Sequence, residues 1–303
     1  NTSARLSVRM FVEQAEITLD AHQWRYHNYP VNQMFGVHSM VPSFLINQHL
    51  IANRQDADAY IGRIKNTSLL MDQLLEQLTI RETNGIVLPQ FVFPRVLESI
   101  ENITSGAPFY PSDKDGAILA DFRAKIATLK LPDSEKEQLL ADAKIALVAH
   151  LSPGYNKLHH YLSAQQTRAD NRHGVWKFPD GQAFYNFALK RTTTIDLGAD
   201  EIHQIGLAEV QRIQDEMRAI MKTVNFDGDL MAFFAFTRND KQFYYPDTRS
   251  GRQAYLDRAT AVIDNMHNRL DELFITKPKA PLQVKAVEPF REASAGQAFY
   301  QRP

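Results

Sequence analysis

Apolar residues recur every three to four positions over long stretches of this chain, which is the spacing of one face of an α-helix. Glycine and proline, which break helices, number only 13 and 14 in 303 residues. The clearest amphipathic helix is predicted to begin at 198–201. Its apolar face consists of Ile202, Ile205, Val210, Ile213, Met217, Ile220 and Met221. The pattern therefore predicts a mainly α-helical fold.

Capping and turn residues divide the rest of the pattern into further helices. They are predicted over 7–21, from Asp56 to Gly85, over 89–103 with an interruption or a kink near Pro94, from Ser112 or Asp113 to 129, over 133–164 with a bend or a split into two at Pro153-Gly154, from Asp180 to 189, and over 250–274. Residues 282–287 alternate at period two, which predicts a short strand. No Gly/Ser-rich linker interrupts the chain. We therefore expect one helical region over 1–303, with helical parts at 1–165 and 166–281 and the start of a β element at 282–303.

The composition excludes several function classes. Lys and Arg total 34 against 35 for Asp and Glu, so the net charge of −1 lacks the basic excess of a nucleic-acid binder. Cysteine is absent, which excludes disulfides, thiolate metal sites and a cysteine nucleophile. No apolar run approaches the length of a membrane span.

No complete catalytic signature is present in the 303 residues. The chain contains no H-E-x-x-H, G-x-S-x-G, G-x-G-x-x-G or P-loop motif. We therefore expect no catalytic residue, no metal ligand and no bound cofactor within this chain.

Arg191-Thr192-Thr193-Thr194 lies between two predicted helices and offers several hydrogen-bond donors and acceptors. Two interpretations stay open for it, a capped helix end and one side of a substrate groove. Trp176 and Tyr185 belong to an aromatic group around Pro179, most of which helical spacing assigns to a core. His203 follows the acidic start of the amphipathic helix and is typical of a packed histidine.

Several stretches together resemble the bacterial family catalogued as domain of unknown function 885. In chain order they are Trp24–Gln33, Pro42–His49, Gly174–Gly181, Thr192–Leu197 and Glu201–Val210. The resemblance covers the whole chain, from Leu6 to Tyr300. Members of this family are often described as lipoproteins or secreted proteins.

The resemblance implies a multi-helix, groove-forming lobe similar to Taq-type carboxypeptidases and thimet-type oligopeptidases. It also implies a zinc-dependent peptidase or related hydrolase, whose His-Glu and Pro-Gly-His-His metal motif follows the segment matching Ala298–Tyr300. Zinc is thus expected in the full-length parent and not in this chain. The groove candidates are Arg191, Thr192, Thr193, Thr194, His203 and Tyr300, with Trp176 and Tyr185 behind them.

The ends of the chain favour a fragment of a larger domain, since it starts at Asn1 without methionine and stops at Pro303. We expect the fragment alone to be inactive, with a peptide-like substrate and the missing C-terminal half of the same protein as its partners. We also expect no nucleic-acid partner and no transmembrane segment. The resemblance implies a cell-envelope or periplasmic location, with a lipid anchor on a cysteine upstream of Asn1. The alternative is a non-catalytic helical binding or scaffold module of the bacterial cell envelope.

Overall fold

The computed structural model describes residues 2–292, 295–296 and 298–300. These residues form α-helices joined by turns, which confirms the prediction of a mainly α-helical fold. The helices are α1 (Thr2–Ala21), α2 (Val37–Asn47), α3 (Arg54–Thr83), α4 (Phe93–Ile103), α5 (Ala117–Ala127), α6 (Asp133–Ala146), α7 (Ser152–Gln166), α8 (Gly181–Thr193), α9 (Ala199–Thr223), α10 (Leu230–Asn239) and α11 (Arg249–Asn268). Within the described residues, no helix combines the length and the hydropathy of a membrane span.

The chain divides into two compact units, one of Asn1–Thr194 with Glu288–Pro303 and one of Ile195–Val287. Helices α1 to α8 belong to the first unit, and α9 to α11 belong to the second. The division at residues 165 and 281 that the helical pattern suggests stays a prediction.

The core of the first unit forms around α3, which packs against α6, α7 and the turn between them. One face of α3 is apolar over its whole length, as the spacing of its residues requires. Its buried apolar residues are Ala57, Tyr60, Ile61, Ile64, Met71, Leu74 and Leu78. Phe93 on α4, Phe122 on α5 and Tyr155 on α7 are fully buried in the same core.

The bend predicted at Pro153-Gly154 is present as a break between α6 and α7. A single π-helical turn, Leu147–Leu151, separates the two helices, and Pro153 lies in the first turn of α7. Proline has no N–H, and its ring would clash with the Ala149 carbonyl in a continuous α-helix. The wider π turn removes that conflict, because it shifts the hydrogen bonds by one residue.

Three predicted helix starts were wrong in detail. Asn53, and not Asp56, caps α3, because the Asn53 side chain accepts a hydrogen bond from the Asp56 N–H while the Asp56 carboxylate accepts one from the Ala52 N–H. The helix predicted from Pro89 is interrupted and not kinked: Gln90–Val92 forms a 3₁₀ turn and α4 starts at Phe93, so Pro94 lies in its first turn, where its missing N–H costs no hydrogen bond. Helix α5 begins after Gly116 and not at Ser112 or Asp113.

A short segment returns to the first unit after the second unit is complete. Pro289–Arg291 forms a 3₁₀ turn beside α4, and Phe290 packs against the core. The Asn47 side-chain amide at the end of α2 donates a hydrogen bond to the Glu288 carboxylate. The first unit is therefore built from two stretches of chain that are distant in sequence.

The predicted β element was wrong. Leu282–Val287 is neither strand nor helix, and within the described residues the only β pairing is in two isolated bridges. An alternating pattern forms a strand only where a second strand supplies hydrogen bonds, and none lies beside this segment. Of the predicted element, residues 293, 294, 297 and 301–303 lie outside the described residues.

The second unit buries very little apolar surface. Over residues 195–287, all of which the structure describes, Met221 on α9 is the only buried large apolar residue. A small cluster of phenylalanine rings joins α9 to α10, with the Phe226 ring 5.1 Å from that of Phe233 and 5.2 Å from that of Phe236. The hydrophobic driving force for this unit on its own is therefore small.

Candidate functional site

The turn that precedes α8 holds Trp176 at the surface. Val175–Lys177 forms a 3₁₀ turn, and Asp180 adopts a left-handed conformation with φ 55°. A Cβ on Gly174 would lie 2.3 Å from the Trp176 indole, so only glycine lets the ring fold against the backbone. The indole is 66% exposed, whereas Phe178 in the same turn is buried. The turn therefore presents one large aromatic side chain to solvent.

Behind this turn lies a cluster of aromatic rings from two distant stretches of chain. The His27 ring centroid is 4.9 Å from that of Trp24 and 4.9 Å from that of Phe184 on α8. The same ring lies 6.0 Å from Phe178. The Trp24 indole nitrogen and both His27 ring nitrogens are buried and have no hydrogen-bond partner in the described part of the chain. Ring packing, and not polar bonding, therefore joins residues 24–27 to the 174–184 region.

The threonines at the end of α8 are engaged with their own backbone. The Thr193 hydroxyl donates to the Leu189 carbonyl at 2.8 Å, and the Thr194 hydroxyl donates to the Thr193 carbonyl at 2.6 Å. Thr194 is left-handed, with φ 60°, and its N–H closes the helix on the Lys190 carbonyl. These contacts are those of a helix cap.

The other groove candidates are exposed. Arg191, Tyr185 and Tyr300 lie on the first unit, and His203 lies on α9 of the second. In residues 2–292 and 298–300, no hydrogen bond or ring contact links Trp176, Tyr185, Arg191 and Tyr300. The sequence therefore identified exposed polar and aromatic positions, and their convergence on one groove stays a prediction.

The sequence analysis missed a polar cluster where α2, α3 and α5 meet. Lys125 Nζ lies 2.8 Å from Asp121 Oδ2 and donates to the Leu45 and Ile46 carbonyls at 2.8 Å each. The Tyr60 hydroxyl donates to the same Asp121 oxygen at 2.9 Å. The Asp121–Lys125 spacing of four residues was the one available signal. Lysine here closes the C-terminal end of α2.

His49 lies beside this cluster with its protonation determined by its neighbours. Its Nε2 is 3.0 Å from the Asp56 carbonyl, which can only accept, so Nε2 carries the proton. Nδ1 then accepts from Arg63 Nη1 at 2.8 Å. Burial first, and the Arg63 charge to a lesser degree, lower the pKa of His49. His49 is therefore a neutral structural residue.

A second cluster surrounds the Glu82 carboxylate at the end of α3. It accepts hydrogen bonds from the Tyr161 hydroxyl at 2.6 Å, from Gln165 at 3.0 Å and from Arg168 at 2.7 Å. Burial alone would raise the pKa of Glu82, but these three donors outweigh it and lower the pKa. The cluster therefore joins α3 to α7 with an ionised carboxylate.

His38 in the first turn of α2 is the most buried histidine. Its side chain is 2% exposed, and Nδ1 has no hydrogen-bond partner in the described residues. The Tyr155 hydroxyl donates to the His38 backbone carbonyl at 2.6 Å. Burial lowers the pKa of His38 to about 4, so the folded chain keeps the ring neutral.

We expect the first unit to lose stability as the pH falls from about 6.5 to about 4, because His38 takes up its proton only on unfolding in that range. The loss from this residue should reach about 2–3 kcal/mol and should be absent above pH 6.5. Urea unfolding followed by tryptophan fluorescence measures it, since both tryptophans lie in the first unit. The variant His38→Phe should show a weaker pH dependence, and an unchanged dependence would contradict the assignment.

No group of three or more His, Asp or Glu side chains in the described part of the chain is placed to hold a metal ion. The Asp121 and Glu82 carboxylates and the His49 ring are each engaged with lysine, tyrosine, glutamine, arginine or backbone groups, and the buried His27 and His38 rings form no such group with other ligands. The described residues therefore do not fit a zinc ion.

Comparison with known proteins gives one family and a similar solved structure. The model of a family described as bacterial protein of unknown function, DUF885, matches residues 1–303. No curated protein matches the chain. A solved structure, described as the "putative lipoprotein from Colwellia psychrerythraea", is similar with a TM-score of 0.78 and 23% sequence identity. The match covers 86% of this chain and 44% of that one, so the chain spans less than half of the length of this relative.

Proposed function

We propose that this chain, which belongs to the bacterial family of unknown function DUF885, forms one wall of the substrate groove of a zinc-dependent peptidase or related hydrolase. The resemblance of the chain to groove-forming metallopeptidases supports the proposal at the level of the fold. We place the zinc ligands in a part of a longer protein beyond this chain. The described residues themselves do not fit a zinc ion, and in this proposal they take no part in the hydrolytic reaction.

The observation that carries the proposal is the contact between two recognisable motifs. The stretches Trp24–Gln33 and Gly174–Gly181 are distant in sequence, yet the rings of His27 and Phe178 pack together. From this shared aromatic base, Trp176 faces solvent and α8 leads to the exposed Arg191. Two of the stretches that characterise the family are thus in contact within the first unit, which supports the proposal.

In this proposal the chain binds and orients a peptide and does not carry out chemistry. The Arg191 guanidinium has five N–H donors suited to a peptide carboxylate or carbonyl. The Thr192 hydroxyl and the His203 ring offer further hydrogen bonds, and Trp176 offers a flat apolar surface for a side chain. Each group is exposed and therefore accessible to a ligand.

We expect Arg191→Ala and His203→Ala, made in a longer parent protein, each to lower kcat/KM on peptides by about tenfold or more. A lost hydrogen bond to a charged group is worth about 1.5–3 kcal/mol, which corresponds to that range. Peptide hydrolysis is measured together with the zinc content, which should not change because neither residue is a proposed ligand.

Arg95→Ala is the matched control, since Arg95 is an exposed arginine on α4 that pairs with Glu98 at 3.1 Å. Its kcat/KM should equal that of the parent. If Arg191→Ala and His203→Ala behave like Arg95→Ala, these residues do not line the groove.

A second candidate is a non-catalytic helical binding or scaffold module of the cell envelope. Two observations favour it. The Thr193 and Thr194 hydroxyls are engaged with backbone carbonyls, and the structural relative is described as a lipoprotein. In either case we propose an envelope location, with a lipid anchor on a cysteine upstream of Asn1. A zinc-loaded parent that hydrolyses no peptide would favour the scaffold.

A further inference from the structure

Helix α9 exposes an apolar face along its length. Ile205, Val210 and Ile220 are 54%, 52% and 53% exposed, although helical spacing brings them to one side of the helix. Soluble proteins rarely leave a contiguous row of large aliphatic side chains in water, and such a row marks an interaction surface. Met221, at the end of the row, is the residue that α10 helps to bury.

The five charged residues in the middle of α9, between 209 and 218, are paired with each other. Arg212 contacts Glu209 at 2.8 Å and Glu216 at 2.6 Å, and Arg218 contacts Asp215 at 2.7 Å. These pairs are three or four residues apart and lie on the exposed surface of the helix, where each contributes little energy. Recognition by this helix would therefore depend on apolar contact and not on a charge pattern.

A cavity of about 440 Å³ continues the apolar face where α9 meets α10. Its apolar lining includes Met221, Leu230 and Phe234, and its polar lining is Gln214, Arg218 and Asp229. The Asp229 carboxylate is already occupied, because it accepts a hydrogen bond from the Ala232 N–H at 2.7 Å. A cavity of this size admits one or two large apolar side chains from a partner.

We propose that the apolar face of α9 and this cavity form the docking surface for an apolar helix face of the same polypeptide, from a part outside these 303 residues. The chain aligns with 44% of its solved relative, so more than half of that protein lies beyond the match. A segment of the same polypeptide binds at a high effective concentration, which favours it over a second copy. The inference rests on the longer protein of the proposed function but not on hydrolysis.

Single cysteines test this surface, because the chain has no cysteine of its own. Val210→Cys and Ala208→Cys lie on opposite sides of α9, since two residues correspond to a rotation of about 200°. Both positions are exposed. In the 303-residue chain we expect the two thiols to react with a maleimide at similar rates. In the longer parent protein, Val210→Cys should react at least about tenfold more slowly than it does in the 303-residue chain. Ala208→Cys should react at the same rate in both proteins.

Each other outcome contradicts the inference. Equal rates in the parent would mean that no segment covers α9. If Val210→Cys reacts slowly in the 303-residue chain and its rate depends on protein concentration, a second copy of the chain covers the face. If that slow rate does not depend on concentration, another element of the same 303 residues covers it. Loss of the protection in 1 M NaCl would show that docking is not apolar. Far-UV circular dichroism of both variants checks that α9 is intact.

The labelling result is independent of the enzymatic hypothesis. A parent that protects Val210→Cys but hydrolyses no peptide supports the docking surface and removes the proposed function. A parent that hydrolyses peptides but leaves Val210→Cys reactive supports the proposed function and removes the docking surface.

Discussion

Replacing Lys125 with methionine is expected to lower the free energy of unfolding of the first unit by about 3–4 kcal/mol. Lys125 is 19% exposed and Asp121 is 16% exposed, so the ion pair is largely shielded from water. Without the ammonium, the Asp121 carboxylate keeps only the Tyr60 hydroxyl as its donor. The Leu45 and Ile46 carbonyls at the end of α2 also lose their donor.

Lys157→Met is the control for this change. Lys157 also pairs with an aspartate, Asp72, at 2.7 Å, but both side chains are about half exposed. Its loss should cost less than about 1 kcal/mol. Urea unfolding followed by tryptophan fluorescence compares the two variants. A similar loss for both would mean that the Lys125 contacts do not close α2.

Gly181→Ala is expected to destabilise the first unit by about 3 kcal/mol or more and to release α8 from the aromatic cluster. A Cβ at this position would lie 2.3 Å from the Val175 carbonyl oxygen and 3.0 Å from the Trp176 Cα. Both atoms are backbone, so no side-chain rotation relieves the clash. The turn has to open, and Phe184 then moves away from His27. Near-UV circular dichroism and a fluorescence shift of Trp24 and Trp176 report this change.

Gly62→Ala is the matched control, and its change in the free energy of unfolding is expected to have the opposite sign. Gly62 lies inside α3, and a Cβ there meets no atom within 4 Å. Alanine favours a helix interior over glycine by about 1 kcal/mol, so this variant should be more stable than the parent chain. Equal behaviour of the two variants would contradict the close packing assigned to Gly181.

Local sequence patterns were sufficient for most helices and failed where the pattern was atypical. Helices α3 and α9 carry regular apolar faces, and both were predicted. Helix α2 was missed because Pro42 lies inside it, and α10 was missed because Leu230–Phe236 is apolar on every side. Amphipathic spacing identifies a helix only when one face is polar.

Local sequence patterns did not predict which helices contact each other. Lys125 closes α2 from another helix, and the burial of His38 depends on the elements packed around α2. Periodicity shows which face is apolar and says nothing about which partner covers it. The strand at 282–287 failed for a related reason, since strand formation depends on a neighbour that the local pattern does not reveal. The aromatic cluster was predicted in part, because the stretches Trp24–Gln33 and Gly174–Gly181 were noted without the contact between them.

The return of Glu288–Arg291 to the first unit has a consequence for the order of assembly during synthesis. The ribosome adds about 5–20 residues per second, so several seconds pass between the completion of α8 and the appearance of Phe290. During that interval the core beside α4 lacks one of its covering side chains, and the Asn47 amide lacks its carboxylate partner. The covering of the core beside α4 is therefore complete only after the whole of the second unit has been synthesised.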